Sequence, residues 1–229
     1  MTKTIRRTIK SFILRQGRLT LGQQRALDEQ WPVFGIDYSP EPLDFNSLFG
    51  NNQPVVLEIG FGNGESLVQM AIESPELNFI GIEVHRPGVG HILHLIQESG
   101  VQNLRVMNHD AIDILQQQIP QHSLSRVQLY FPDPWHKTKH TKRRIVQPAF
   151  LDTLATLLRE DGQIHFATDW KDYARQMMKT LEEHPQFINN AAINEYSPKP
   201  DYRPVTKFER RGQRLGHGVW DLLFSLKHK

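Results

Sequence analysis

The chain predicts an α/β fold: a mostly parallel seven-stranded sheet with helices on both faces, closed by a terminal antiparallel strand pair. Three observations carry this. From residue 53 onward short apolar runs alternate with helix-period segments, the pattern of a parallel sheet built from strand–helix units. The first apolar run ends in a cluster of glycines. Carboxylates then recur at or near the ends of successive runs, the sheet edge where doubly wound folds bind ligands.

Taken in order, residues 1–50 are interrupted by Gly17, Gly22, Pro32, Pro40, Pro42 and Gly50. Their periodicity is weak, so a basic N-terminal arm with little regular structure is expected there, with one domain over 51–229. Val55–Ile59 is a short apolar run ending in glycines and reads as a buried parallel strand. Asn78–Glu83, Leu104–Met107, Val127–Phe131 and Gln163–Ala167 read as further strands. Helical patterns over Glu65–Glu73, Gly88–Ser99, Ala149–Arg159 and Tyr173–Glu183 separate them. In the second of these, Val89, Ile92, Leu93 and Ile96 share one helix face and Pro87 is placed to start it. Phe187–Tyr196 and Gly218–Leu226 form the closing antiparallel pair.

Hydrophobic residues at 38% and charged residues at 23% are ordinary for a soluble globular protein. No apolar run approaches the roughly 18 residues of a membrane span, and the basic start Met1–Arg7 lacks the apolar stretch of a signal peptide. The chain has no cysteine, which excludes disulfides and thiolate zinc sites; a cytoplasmic location is expected. The net charge of +2 hides a strong asymmetry. Residues 1–27 hold seven cations (Lys3, Arg6, Arg7, Lys10, Arg15, Arg18, Arg25) and residues 136–144 hold five (Lys137, Lys139, Lys142, Arg143, Arg144), with no carboxylate in either segment. The rest of the chain carries 15 cations against 25 anions, a net of −10. Positive charge gathered on an acidic body is the footprint of a polyanion-binding surface.

Glu58-Ile59-Gly60-Phe61-Gly62-Asn63-Gly64 joins the first strand to the first helix. Glycines serve there because the turn is tight and a ligand approaches the backbone. Glu83 lies 19 residues after Gly64, where a carboxylate accepts ribose hydroxyls. Nicotinamide, flavin and adenosylmethionine folds share these features. The spacing here is G-x-G-x-G, however, and Glu58 sits two residues before the first glycine. A carboxylate there would face the pyrophosphate of a dinucleotide unfavourably, but it suits the cationic amino-acid end of S-adenosyl-L-methionine. Asp110 ends the third strand, where it can accept from an adenine amino group; Asp133 ends the fourth and Asp169 the fifth.

Phe131-Pro132-Asp133-Pro134-Trp135 is the most informative segment. Two prolines bracketing an aspartate fix the local path and hold Asp133 and Trp135 where a methyl donor should lie. A basic run follows at once, His136-Lys137-Thr138-Lys139-His140-Thr141-Lys142-Arg143-Arg144. An aromatic can stack a base while cations hold the strand that carries it. His136 and His140 have a spacing compatible with a metal, but five cations in the same nine residues would repel a divalent ion, so no metal is expected. A second polar cluster, Thr206-Lys207-Phe208-Glu209-Arg210-Arg211, lies between the last two strands and emerges over the same edge if Phe187–Tyr196 runs parallel to the sheet.

On these residues the chain resembles the bacterial tRNA (guanine-N7)-methyltransferases, which modify guanine 46 of the variable loop. The resemblance rests on Leu57–Gly64, Gly81-Ile82-Glu83, Phe131–His140 with Lys142-Arg143-Arg144, and Thr206–Glu209, with Arg15–Arg18 and Gln23–Leu27 in addition. It implies a Rossmann-like class I methyltransferase fold, S-adenosyl-L-methionine as cofactor and tRNA as partner; no membrane or metal is expected, and no obligatory protein partner is evident in the sequence. It further implies that Glu58, Glu83, Asp110 and Asp133 contact the methyl donor together with the Gly60, Gly62 and Gly64 loop, with Asp133 as the catalytic residue. Lys137, Asp169, Thr206, Lys207, Phe208 and Glu209 are then expected to bind substrate, and Lys139, His140, Thr141, Lys142, Arg143 and Arg144 to meet the RNA. Two alternatives stay open at this point: methylation of an exocyclic amine, which Asp-Pro-x-aromatic corners also serve, and a non-catalytic RNA-binding module on a degenerate fold.

Overall fold

A computed structural model of the chain describes residues 11–12, 17–206, 209–210 and 218–227. Its centre is an eight-stranded sheet in the order β1-β4-β3-β2-β5-β6-β8-β7. The strands are β1 (Gly35–Ile36), β2 (Val55–Ile59), β3 (Asn78–Ile82), β4 (Leu104–Met107), β5 (Leu124–Tyr130), β6 (Leu158–Thr168), β7 (Phe187–Asn189) and β8 (Trp220–Leu226). β1 to β6 pair in parallel, and β8 runs antiparallel between β6 and β7. The order reverses between β2 and β5, so a crevice opens there at the carboxyl ends of the strands.

All five residues of β2 are buried, as a strand covered on both faces requires. Alternation assigns them to two cores. Val55, Leu57 and Ile59 join the side lined by α5 (Ala111–Gln117), α6 (Pro148–Leu157) and α7 (Lys171–Glu182). Val56 joins the side lined by α1 (Leu21–Phe34), α3 (Glu65–Glu73) and α4 (Arg86–Ser99). Pro at the first turn of α4 and left-handed Gly100 after it give that helix its start and stop. A short helix, α2 (Phe45–Phe49), begins at an Asp44 cap.

The expected seven strands are present, and an eighth, β1, is added by the N-terminal segment. That segment corrects the expectation of little regular structure before residue 51. Thr20 accepts from the Gln23 amide while the Gln23 side chain accepts from the Thr20 amide, a reciprocal cap that starts α1. The helix then lies across α4 so closely that a Cβ on Gly90 would meet the Gln23 backbone at 2.9 Å. The proline and glycine breakers mislead because Pro32 falls near the end of the helix and Gly22 lies in its first turn. The pairing of β7 with β8 and of β8 with β6 makes β7 run in the direction of the parallel strands, so the chain after it leaves at the crevice edge.

Candidate active site

The Gly60–Gly64 loop leaves β2 with Gly60, Gly62 and Gly64 all at positive φ (75°, 63° and 81°), backbone that other residues adopt at a cost. Open space faces the Cβ positions of Gly60 and Gly62, whereas a Cβ on Gly64 would meet Ile92 at 2.4 Å. Gly88 of α4 packs under the loop, where a Cβ would stand 2.2 Å from the Gly62 carbonyl oxygen. Glu83, just past β3, organises the loop from the other side. Its carboxylate accepts from the Gly62 amide at 2.9 Å and from the Val84 and His85 amides at 2.7 and 2.9 Å. Asp110 caps α5 by accepting from the Ile112 amide.

Glu58 is buried one residue below the cleft floor, which Ile59 and Gly60 line. Burial, and then the neighbouring Glu83 charge, push its carboxyl up to about 8. Its Oε2 has no hydrogen-bond partner among the described residues. A buried carboxyl lacking a partner, beneath an open glycine loop and beside a ribose-type carboxylate, is what a cationic ligand would complete. S-adenosyl-L-methionine fits this donor set.

A cleft of about 830 Å³ runs from Gly60, Glu83 and Asp110 across to Asp133, Trp135 and Lys137. It lies over the switch between β2 and β5. The Phe131–Trp135 corner is more constrained than two prolines alone would make it. Phe131 and Trp135, on either side of Pro132-Asp133-Pro134, have φ of 51° and 47°. Such non-glycine conformations cost on the order of 1–3 kcal/mol each and cluster at functional sites. Asp133 is exposed at the apex. Asp169 follows β6, the strand next to β5, and therefore stands at the same edge. Trp170 then meets His136 edge-on with ring centroids 4.2 Å apart.

The basic run forms a 3-10 helix over Thr138–Arg143. Lys137, Lys139 and Lys142 are exposed, and Thr141 turns its hydroxyl back to the Thr138 carbonyl. His140 packs against Trp135 and lines the cleft. Arg143 stacks over Trp135 at 3.9 Å and donates to the Phe12 carbonyl. Arg144 departs from the expected outward role. It is 7% exposed, donates to the Pro134 carbonyl at 2.8 Å and to Gln176 at 3.2 Å, and lies over Tyr173. It clamps the corner to α7, because its side chain follows the chain's inward turn toward buried Val146.

Of the second cluster, Thr206 accepts from the Glu209 amide. Glu209 is buried at 2% exposure and paired with Arg203. Lys207, Phe208 and Arg211 lie outside the described residues, as do Lys3, Arg6, Arg7, Lys10 and Arg15. Sequence reasoning missed Ser11 and Phe12, which line the cleft; the Trp135 indole donates to the Ser11 carbonyl at 3.1 Å. It also missed His109, stacked on Tyr38 at 4.0 Å beside Asp110. No spacing links these positions. Among the described residues no group of three or more His, Cys, Asp or Glu could hold a metal ion, and no helix is long and apolar enough to cross a membrane.

A doubly wound sheet, a glycine loop flanked by carboxylates and a cleft at the switch point define a Rossmann-like, S-adenosyl-L-methionine-dependent methyltransferase. Solved structures agree on the fold. The 16S rRNA methyltransferase KamB superposes with a TM-score of 0.60 at 16% identity, covering 82% of this chain and 95% of that one. A family model described as a putative methyltransferase matches residues 52–222. Among curated relatives, the tRNA (guanine-N(7)-)-methyltransferase of Aeromonas hydrophila is 58% identical over 96% of this chain and 92% of that protein. That of Shewanella woodyi is 56% identical over the same shares. The chain belongs to the tRNA (guanine-N7)-methyltransferase family.

Proposed function

We propose that this chain transfers the methyl group of S-adenosyl-L-methionine to N7 of guanine 46 in the variable loop of tRNA, working in the cytoplasm. The observation that carries the proposal is the strained corner Phe131–Trp135. It presents exposed Asp133 over the cleft and continues without interruption into exposed Lys137, Lys139 and Lys142. A reactive corner joined to cations is what a base held on a polyanion requires.

When bound, the cofactor supplies an electrophilic methyl group on a sulfonium. Guanine N7 carries a lone pair and no proton, so the chain has no proton to remove before displacement. Its contribution is alignment, a term that reaches about 7–11 kcal/mol in well-oriented systems. Glu58, Glu83, Asp110 and the Gly60–Gly64 loop hold the donor. Asp133 accepts from the N1–H and amino group of the purine, which fixes the ring with its N7 edge turned toward the donor site. Lys137, Asp169 and Thr206, with Lys207 and Phe208, bind the target nucleotide, whereas Glu209, buried with both carboxylate oxygens on Arg203, does not reach it. Lys139, His140, Thr141, Lys142 and Arg143 follow the RNA backbone, while Arg144 holds the loop from within.

The test is methyl transfer to two unmodified tRNA transcripts that differ only at position 46, guanine or adenine. Transfer to the first and none to the second is expected. Equal transfer to both would overturn the assignment of the target.

A further inference from the structure

Beneath the corner lies a buried polar knot that the proposed mechanism does not use. Arg203, 1% exposed, presents both edges of its guanidinium to two carboxylates. Toward Asp221 it donates from Nε at 2.7 Å and Nη2 at 3.1 Å; toward Glu209 it donates from Nη1 at 2.6 Å and Nη2 at 3.0 Å. Only the planar fork of arginine can bridge two carboxylates in this way.

What the fork joins gives it meaning. Asp221 is the second residue of β8, and Arg203 and Glu209 lie in the segment that precedes that strand. One side chain therefore ties the start of β8 to Glu209, whose amide donates to the Thr206 hydroxyl. The same guanidinium carbon stands 5.9 and 5.8 Å from the Tyr130 and Phe131 rings, the residues that lead into Pro132-Asp133. A second path runs through Asp221, which accepts from His165 Nε2 at 2.8 Å. A carboxylate only accepts, so Nε2 carries the proton and Nδ1 is left to accept from a tyrosine hydroxyl. Tyr130 and Tyr202 stand 2.9 and 3.0 Å from it. Arg203 thus grips the corner directly and through Asp221, His165 and Tyr130.

We infer that Arg203 is a positioning residue for methyl transfer: through Glu209 it sets where Thr206 stands relative to the Asp133 corner, while touching neither cofactor nor RNA. This rests on the proposal that Thr206 and the corner share the purine. Since displacement of about 1 Å at a reacting centre can cost on the order of 100-fold in rate, a loosened knot should appear in turnover rather than in cofactor binding.

The experiment compares Arg203→Lys, Glu209→Gln, their double variant and Thr206→Ala. For each, kcat is measured with saturating tRNA and donor, adenosylhomocysteine affinity by calorimetry, and folding by thermal melt. Arg203→Lys keeps the charge but loses the double fork, and kcat should fall by about 20-fold or more with adenosylhomocysteine Kd within twofold of native. Glu209→Gln, which breaks one fork only, should show the same split less severely and stands as the test if Arg203→Lys does not fold. The double variant should be no slower than Arg203→Lys, because the fork to Glu209 is already lost in Arg203→Lys. A kcat within twofold of native in Arg203→Lys or Glu209→Gln, alongside a slow Thr206→Ala, overturns the inference and leaves the proposed function standing. Loss of cofactor affinity in parallel with kcat overturns it too, since that marks general collapse. Full speed in Thr206→Ala as well refutes the placement of the purine itself.

Discussion

Binding of the cofactor should release a proton from Glu58. In the ligand-free chain burial and the Glu83 charge hold this carboxyl at about 8, so it is mostly protonated at neutral pH. An opposite charge within about 4–6 Å lowers a carboxyl by about 1–3 units. A ligand ammonium above Glu58 should therefore bring it to about 6 if the shift is about 2 units. Linkage then fixes two observables. At pH 7 binding should release about 0.8 proton, and affinity should rise about 25-fold from pH 6 to pH 8 before levelling. The assay is calorimetry of adenosylhomocysteine in buffers of different ionisation enthalpy, which reads proton release directly. Glu58→Gln should abolish both the release and the pH slope. A Kd unchanged between pH 6 and 8, with no proton released, would refute the reasoning that Glu58 answers the ligand's positive charge.

The same raised value has a consequence for the ligand-free fold. Because the folded-state value lies above the unfolded one, 4.5 against about 8, Glu58's contribution to stability is whole below about pH 4.5. It is lost as pH rises through about 8, a change of up to about 5 kcal/mol; thermal melts of Glu58→Gln should lack this decline and exceed native stability at pH 8. Asp133→Asn should lower kcat far more than tRNA affinity or melting temperature, and near-native turnover in Asp133→Ala would show that the residue does not align the purine. Replacing Lys139 and Lys142 together should flatten the dependence of log tRNA affinity on log salt by about 1.4–1.8, with kcat kept, whereas Lys137→Ala should lower kcat with little change in slope. Gly88→Ala places a Cβ against the Gly62 carbonyl and should weaken adenosylhomocysteine by about 1–3 kcal/mol, the range for an overpacked contact, as read by calorimetry.

Sheet, crevice and cofactor loop were legible because their signals are local. Val55–Ile59 is apolar but for Glu58 and is followed by glycines that the backbone requires at positive φ, so strand and turn agree in one short window. The corner was legible for the same reason, through prolines that constrain their neighbours. The α1 helix was not, although Thr20 and Gln23 carry a capping signature; its weak amphipathicity reflects contact with α4 through close backbone packing rather than a broad apolar stripe. Arg144 reads as part of a cationic run, and only the inward turn toward Val146 separates it from Lys142. Arg203 was the least legible. Its partners lie 6 and 18 residues away, and a buried ion pair leaves no periodic trace.

What defines this enzyme is the atom that receives the methyl group. The direct measurement is nucleoside mass spectrometry of tRNA methylated by the purified chain with an isotope-labelled donor. All label should reside in 7-methylguanosine. Label in a base methylated on an exocyclic amine, or tRNA left unlabelled by a chain that binds adenosylhomocysteine, would contradict the account.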